Sequence, residues 1–308
     1  MKMISLSILV CISVFLQVPS LYKPVLASKP KPVDLAYSCL RVGNEKERKD
    51  DIPLVLVHGL TAFKEMYRGI NEVLAWETGK KVCIVDMRNH GESPWSDELD
   101  IAAMTEDVKH FLDTIKAPKA VVLGSSMGGK IAVHLALNYP SMVDKIIVED
   151  MRPNGLSPES IEEILFYVGL FKDLDEVMPQ GVTEIEAKQT LLQIVNDRLA
   201  KTNSSVRMKD PDIIPIKCSQ GTCRWKTNPK VIQVVSNNIM DMWTESSGRF
   251  DGSALFIYGT ESNFKVGEDE SNIKKLFPNA KLVGVKGAAH LVHIFPEFMT
   301  EAVKFINR

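Results

Sequence analysis

The sequence predicts an α/β chain built on an open, mostly parallel sheet with helices on both faces. Short, β-branched and almost continuously apolar runs recur at Leu54–Val57, Val82–Val85, Ala120–Leu123 and Ile146–Val148, and again at Ala254–Tyr258 and Lys281–Val285. Strands buried on both faces of a parallel sheet read in this way. Helical periodicity separates the runs. Met104, Val108, Phe111, Leu112 and Ile115 form one apolar face, and Phe298, Ala302, Val303 and Ile306 form another near the C-terminus. The alternation itself argues for a parallel α/β architecture.

The rhythm breaks between about 152 and 252. That stretch holds helical patterns at Ile161–Phe171 and Glu184–Leu199, a hairpin around Cys218 and a helix over Lys230–Met242. An insertion near the C-terminal edge of the strands reads as a helical cap over an active site. The expected organisation is one domain over 32–308 interrupted by this cap. Met151, Ile164, Phe166, Tyr167, Leu170 and Phe171 would make the cap apolar, which suits an acyl or lipid ester better than a charged sugar or peptide. Asp173, Asp175 and Glu176 nearby would disfavour anionic substrates.

Composition bounds the function. The 308 residues are 45% apolar and 25% charged, with a net charge of −2. These are globular proportions, which exclude wholesale disorder and collagen-like repeats. No Lys/Arg block exceeds two consecutive residues, so the electrostatic footprint of a nucleic-acid binder is missing. At the N-terminus Lys2 precedes an apolar run from Ile4 to Val18, and Val25-Leu26-Ala27 follows. This is the layout of a secretory signal peptide over 1–27, with Ser20 as a second cleavage site; a spanning helix would need about 20 apolar residues. The expected destination is the secretory pathway or the extracellular space, and Asn203-Ser204-Ser205 is a sequon compatible with it.

Five cysteines are too few for a disulfide framework in a chain of this length. Cys11 lies in the leader, and Cys39 and Cys83 sit in apolar runs, where lone buried thiols are the expectation. Cys218 and Cys223 flank the turn-like Ser219-Gln220-Gly221-Thr222, where a hairpin disulfide is expected. No His lies near them to complete a zinc site.

The chemistry begins directly after the Ala120–Leu123 run. Gly124-Ser125-Ser126-Met127-Gly128 is a G-x-S-x-G motif between a strand and a helix, the context its mechanism requires. Small flanking residues permit a strained turn that presents Ser126 Oγ above the sheet. A serine hydroxyl needs a base to take its proton. His290, in the loop Gly287-Ala288-Ala289-His290 after the last strand, can reach back over the nucleophile; His293 is the fallback. His110 and His134 lie inside helices, and His58 and His90 beside glycines at strand ends read as structural. The oxyanion hole needs two backbone N–H donors, for which Met127 and Leu60 are the candidates.

His58-Gly59-Leu60, the run Asp86-Met87-Arg88-Asn89-His90-Gly91-Glu92-Ser93-Pro94, Ser126-Met127-Gly128-Gly129-Lys130 and Ala289-His290-Leu291-Val292-His293 stand in that order. Together they resemble the α/β-hydrolase superfamily and, within it, the family of alpha/beta hydrolase domain-containing protein 11, from about Pro32 to Arg308. The resemblance implies a serine ester hydrolase or lipase with diacylglycerol-type lipids among its substrates and no metal or cofactor. It also implies a mitochondrial location, against the leader. The superfamily usually carries its acid after the penultimate strand, where Glu261 is available but Ser262 stands at the position of the usual Asp. Relatives that lack this Asp resemble enzymes with the acid after the strand following the nucleophile, which implies Asp150. Glu261 is the alternative, followed by Asp251, Asp241 and Glu149.

Ser125, Ala289 and Ala62 depart from the His, Gly and Gly that the family carries. These departures motivate a second reading, a catalytically weak or silent α/β-hydrolase fold that serves as a binding protein. Contact with a membrane surface through the cap or the N-terminal segment, and the oligomeric state, stay open.

Overall fold

The computed structural model describes residues 30–42, 51–201, 208–243 and 245–308. The leader over 1–27 and the Asn203 sequon lie outside them. A seven-stranded sheet forms the centre, built from β1 (Tyr37–Leu40), β2 (Leu54–Val57), β3 (Val82–Val85), β4 (Ala120–Ser125), β5 (Val143–Glu149), β8 (Ser253–Gly259) and β9 (Ala280–Val285). The spatial order is β1-β3-β2-β4-β5-β8-β9, and only the pairing of β1 with β3 is antiparallel. The expected parallel α/β sheet is therefore the observed one. Leu54–Val57 and Val82–Val85 are buried along their whole length, as continuous apolar runs require.

Two apolar layers sandwich the sheet. One holds Val55, Val57, Val122 and Val148 against α2 (Ile101–Thr114) and α3 (Met127–Asn138). The other holds Leu54, Leu56, Leu123 and Ile147 against α1 (Ile70–Thr78) and the C-terminal helix Pro296–Ile306. Alternate strand residues feed opposite layers because side chains alternate across a strand.

Between β5 and β8 lie α4 (Pro158–Glu176), α5 (Glu184–Lys201), the hairpin β6 (Ile216–Ser219) with β7 (Thr222–Trp225), and α6 (Pro229–Asn238). Local chemistry starts these helices. Ser157 caps α4 through the Ser160 N–H with Pro158 in the first turn, and Asn228 caps α6 through the Lys230 N–H. Thr183 and Glu186 exchange hydrogen bonds ahead of α5, a capping box. The cap packs into the same apolar cluster as the sheet, with the Phe171 and Trp225 rings 4.0 Å apart. It is pinned to the core where Asn228 meets Asn89, side chain to side chain and main chain to main chain, each at 2.8 Å.

Several expectations need correction. Cys39 and Cys83 are not lone thiols: they face each other across the β1–β3 pair and form a disulfide. Both cysteines lie in strand-like runs, but no local pattern pairs the run of Cys39 with that of Cys83. The expected Cys218–Cys223 bond is present across β6 and β7. The helix expected over Lys230–Met242 stops at Asn238, whose side chain accepts the Met240 N–H and starts a separate turn, Ile239–Asp241. Met151 is a core residue under α3, and Phe171 and Ile164 are buried within the cap. Phe166 points outward, lining a groove with Leu170 between α4 and α5. Asp173 pairs with Arg198, and Asp175 accepts the Trp225 indole N–H at 2.9 Å, so both serve the cap's own packing. Among the described residues no helix is long and apolar enough to cross a membrane.

The two disulfides close loops of very different length, with sequence separations of 44 and 5. Chain-entropy reasoning gives about 4 kcal/mol for the first and about 2 kcal/mol for the second. Denaturant unfolding of Cys39→Ser/Cys83→Ser should therefore show the larger loss of stability, and Cys218→Ser/Cys223→Ser the smaller.

Candidate active site

Ser126 follows β4 directly and caps α3, with φ 53° and ψ −116°. A non-glycine residue held there stores strain of about 1–3 kcal/mol. Tight packing of main chain on main chain enforces the turn. A Cβ on Gly124 would lie 2.0 Å from the Gly128 carbonyl oxygen, and one on Gly128 would lie 2.0 Å from the Val57 carbonyl oxygen. Neither position admits a side chain, which is the physical content of the two glycines in the motif. The Ser126 N–H donates to the Glu149 carbonyl at 2.9 Å, tying the turn to the end of β5.

The loop after β2 runs past the same serine. A Cβ on Gly59 would stand 3.3 Å from Ser126 Cβ and 3.9 Å from its Oγ, which places Leu60 next to the nucleophile turn. Met127 is the first residue of α3, so its N–H has no partner within the helix.

His58 and His90 hold this loop. Nε2 of His58 accepts the Met87 N–H at 3.0 Å, and its Nδ1 lies 2.7 Å from the Gly59 carbonyl. Nε2 of His90 accepts the Thr61 N–H at 3.2 Å, where Thr61 has φ 60°. The segment from Asp86 to Pro94 braces them. Asp86 accepts the Lys64 N–H at 2.6 Å and the Lys64 ammonium at 2.9 Å, while Arg88 clamps the buried Asp107 through two bonds of 2.6 and 2.7 Å. Burial lowers His58 to about 4 and His90 to about 3.

Asp150, just past β5, has φ 48° and is fully buried. Its Oδ2 lies 2.7 Å from His290 Nδ1, and its Oδ1 accepts the Gly259 N–H at 3.1 Å. Ser262, which stands where an acid was expected, donates its hydroxyl to Asp150 Oδ2 and accepts the Phe264 N–H at 3.1 Å. The Phe264 ring stacks on His290 at 4.0 Å with an interplanar angle of 10°. Ser262 and Phe264 are the site residues that sequence reasoning missed. Their signal was visible only as a missing acid at position 262.

The structure brings His290 to Asp150 and not to the other candidates. Glu261 is exposed, and its N–H donates to the Ala288 carbonyl at 3.0 Å. Asp251 is exposed and pairs with Arg249 at 2.7 Å, and the Asp241 side chain lies outside the described residues. Glu149 binds His293, so the fallback base is engaged by the fallback acid. His110 pairs with Asp34 at 2.8 Å, and His134 is a partly buried residue of α3. No hydrogen bond joins Ser126 Oγ to His290 among the described residues, and in unliganded enzymes such bonds often tighten only with substrate. Among the described residues no cluster of His, Cys, Asp and Glu could hold a metal ion.

The two loop histidines make an acid-side prediction. Their folded pKa values lie below the unfolded value of about 6.5, so neutral imidazole favours the fold. The contribution is full above about pH 6.5 and is lost as pH falls toward 4. Urea unfolding at pH 5 should give lower stability than at pH 7, and His90→Gln should reduce the difference.

Residues 52–210 match the family model described as alpha/beta hydrolase fold. The sn-1-specific diacylglycerol lipase ABHD11 of Danio rerio is 28% identical over 282 residues, covering 90% of this chain and 83% of that one. Its counterpart in Xenopus laevis is 30% identical, covering 78% of this chain and 74% of that one. A solved structure titled marine microorganism esterase is 26% identical with a TM-score of 0.70, covering 89% of this chain and 99% of that one. The chain belongs to the alpha/beta hydrolase fold family.

Proposed function

We propose that this carboxylic ester hydrolase works through Ser126 as nucleophile, His290 as general base and acid, and Asp150 as the carboxylate that orients His290. The observation that carries the reading is the 2.7 Å bond between His290 Nδ1 and a fully buried Asp150, just past the strand next to the one that leads into the Ser126 turn. With Nδ1–H donated to Asp150, Nε2 is left free to take a proton.

Ser126 Oγ attacks the ester carbonyl carbon as its proton passes to His290. The carbonyl oxygen becomes an oxyanion, which the Leu60 and Met127 N–H groups hold. The bond to the alcohol oxygen then breaks, and His290 returns the proton to the leaving alcohol. Water attacks the acyl-enzyme with His290 again taking a proton, which ends on Ser126 Oγ as the carboxylic acid departs.

Two relatives are named diacylglycerol lipases. These names support apolar acyl or acylglycerol-type esters as substrates. The Cys39–Cys83 and Cys218–Cys223 disulfides support a secretory location over the mitochondrial one, because such bonds persist in oxidising compartments. The departures at Ser125, Ala62 and Ala289 leave the Asp150–His290 pair intact, which favours hydrolysis over a silent binding role.

Initial rates on a short-chain p-nitrophenyl ester test the roles. Asp150→Asn should lower kcat/KM by about 10⁴, as loss of the triad acid does in a serine protease. Glu261→Gln should stay within about threefold. Ser262→Ala removes one hydrogen bond from a charged group, about 1.5–3 kcal/mol, and should cost on the order of tenfold or more in kcat. A collapse confined to Glu261→Gln would reverse the assignment of the acid.

A further inference from the structure

A second carboxylate–imidazole pair stands beside the first. Glu149 precedes Asp150, and its Oε1 accepts the His293 N–H at 2.7 Å and meets His293 Nδ1 at 2.8 Å. The Glu149 side chain is fully buried and that of His293 only 10% exposed. The other carboxylate oxygen, Oε2, is buried without a hydrogen-bond partner among the described residues. From the remaining elements Tyr67 and Phe298 face the pair, with ring centroids 6.3 and 6.4 Å from the His293 ring. Tyr67 keeps its proton, since burial and the Glu149 charge push its phenol well above the ordinary value. Asp150 and His290, bonded to each other, are the next titratable groups along each chain segment.

Glu149 touches both halves of the reaction centre. Its carbonyl accepts the Ser126 N–H, and its side chain holds the turn Val292–Ile294, whose first N–H donates to the His290 carbonyl at 3.2 Å. We propose that the buried Glu149–His293 ion pair is the positioning element of the base, tying the His290 loop to the strand end that carries Asp150 and contacts Ser126. The inference rests on the Ser126–His290–Asp150 reading above, and His293 acts through His290 rather than on substrate.

Protonation follows from the geometry. Burial pushes the His293 imidazole down, but the Glu149 charge and hydrogen bond outweigh it and leave His293 above its ordinary 6.5. Burial likewise raises Glu149, and the His293 charge outweighs that to leave it below its ordinary value. The ion pair is thus complete between the lowered Glu149 pKa and the raised His293 pKa, and it is lost as pH rises through the latter. Deprotonation leaves a buried carboxylate without its counter-charge, a costly state that loosens the loop.

The kcat/KM profile of the full chain on a short-chain ester, followed by pH-stat, tests this. Wild type should show an alkaline limb from His293. Across the alkaline limb kcat/KM should fall on the order of tenfold, within the roughly 10²-fold that a 1 Å misplacement can cost. Glu149→Gln keeps the shape and removes the charge. It should lower neutral-pH kcat/KM on the order of tenfold, mainly through kcat, and abolish the alkaline limb. An unchanged alkaline limb, or neutral-pH activity within twofold of wild type, would overturn the proposal. NMR titration of the wild-type His293 imidazole gives an answer even where the variant does not fold: a midpoint above 6.5 supports the pair, and one at or below 6.5 overturns it. Ser126→Ala separates the two readings, because turnover within about tenfold of wild type there would sink the catalytic assignment, since loss of a triad member costs far more, while the His293 titration still reports on the pair.

Discussion

Val57, Gly124 and Gly128 meet main chain to main chain, and neither glycine has room for a side chain. That contact draws the start of α3 onto the end of β2 and leaves Ser126 at φ 53° on a turn it would not adopt alone. Several consequences follow from this one steric constraint. The Met127 N–H opens the helix without an internal partner, the loop holding Leu60 passes beside Ser126, and the Ser126 N–H reaches the Glu149 carbonyl. Ser126, the N–H groups of Leu60 and Met127 and the end of β5 thus share one rigid junction. The strain of about 1–3 kcal/mol is offset by the buried strands on either side.

The acid side of the site is organised around Asp150. In its place just past β5 it is reached from three directions: by His290, by the Ser262 hydroxyl and by the Gly259 N–H. A serine at position 262 works only because the charge it lacks is supplied from the neighbouring strand. Phe264, bonded to that serine and stacked on His290, closes the arrangement. With Glu149 and His293 alongside, two successive carboxylates at the end of one strand grip two histidines three positions apart on one loop.

What could be read from the residues was mostly local. Gly124 to Gly128 and the buried runs declare their geometry in sequence, because the constraints act within one turn or along one strand. His290 followed from its loop, and Asp150 from the resemblance once Ser262 had displaced the usual acid. The Cys39–Cys83 bond was illegible because it depends on β1 lying antiparallel to β3, a long-range pairing that no local pattern announces. Ser262 was seen as an absence rather than a hydrogen-bond donor for the same reason. Glu149 and His293 each read in sequence as a substitute for a catalytic group, and only their mutual distance shows that they bind one another. In the cap, Phe166 and Phe171 carried the same apolar signal but face opposite environments, which depends on how α4 packs against Trp225.

Covalent labelling measures whether Ser126 is a nucleophile activated by His290. After exposure to a fluorophosphonate, intact-mass analysis and peptide mapping should find one adduct, on the peptide containing Ser126. His290→Ala should suppress it at equal probe concentration and time. An unmodified wild-type protein at saturating probe, or an adduct on any other residue with Ser126 free, would rule out Ser126 as the nucleophile.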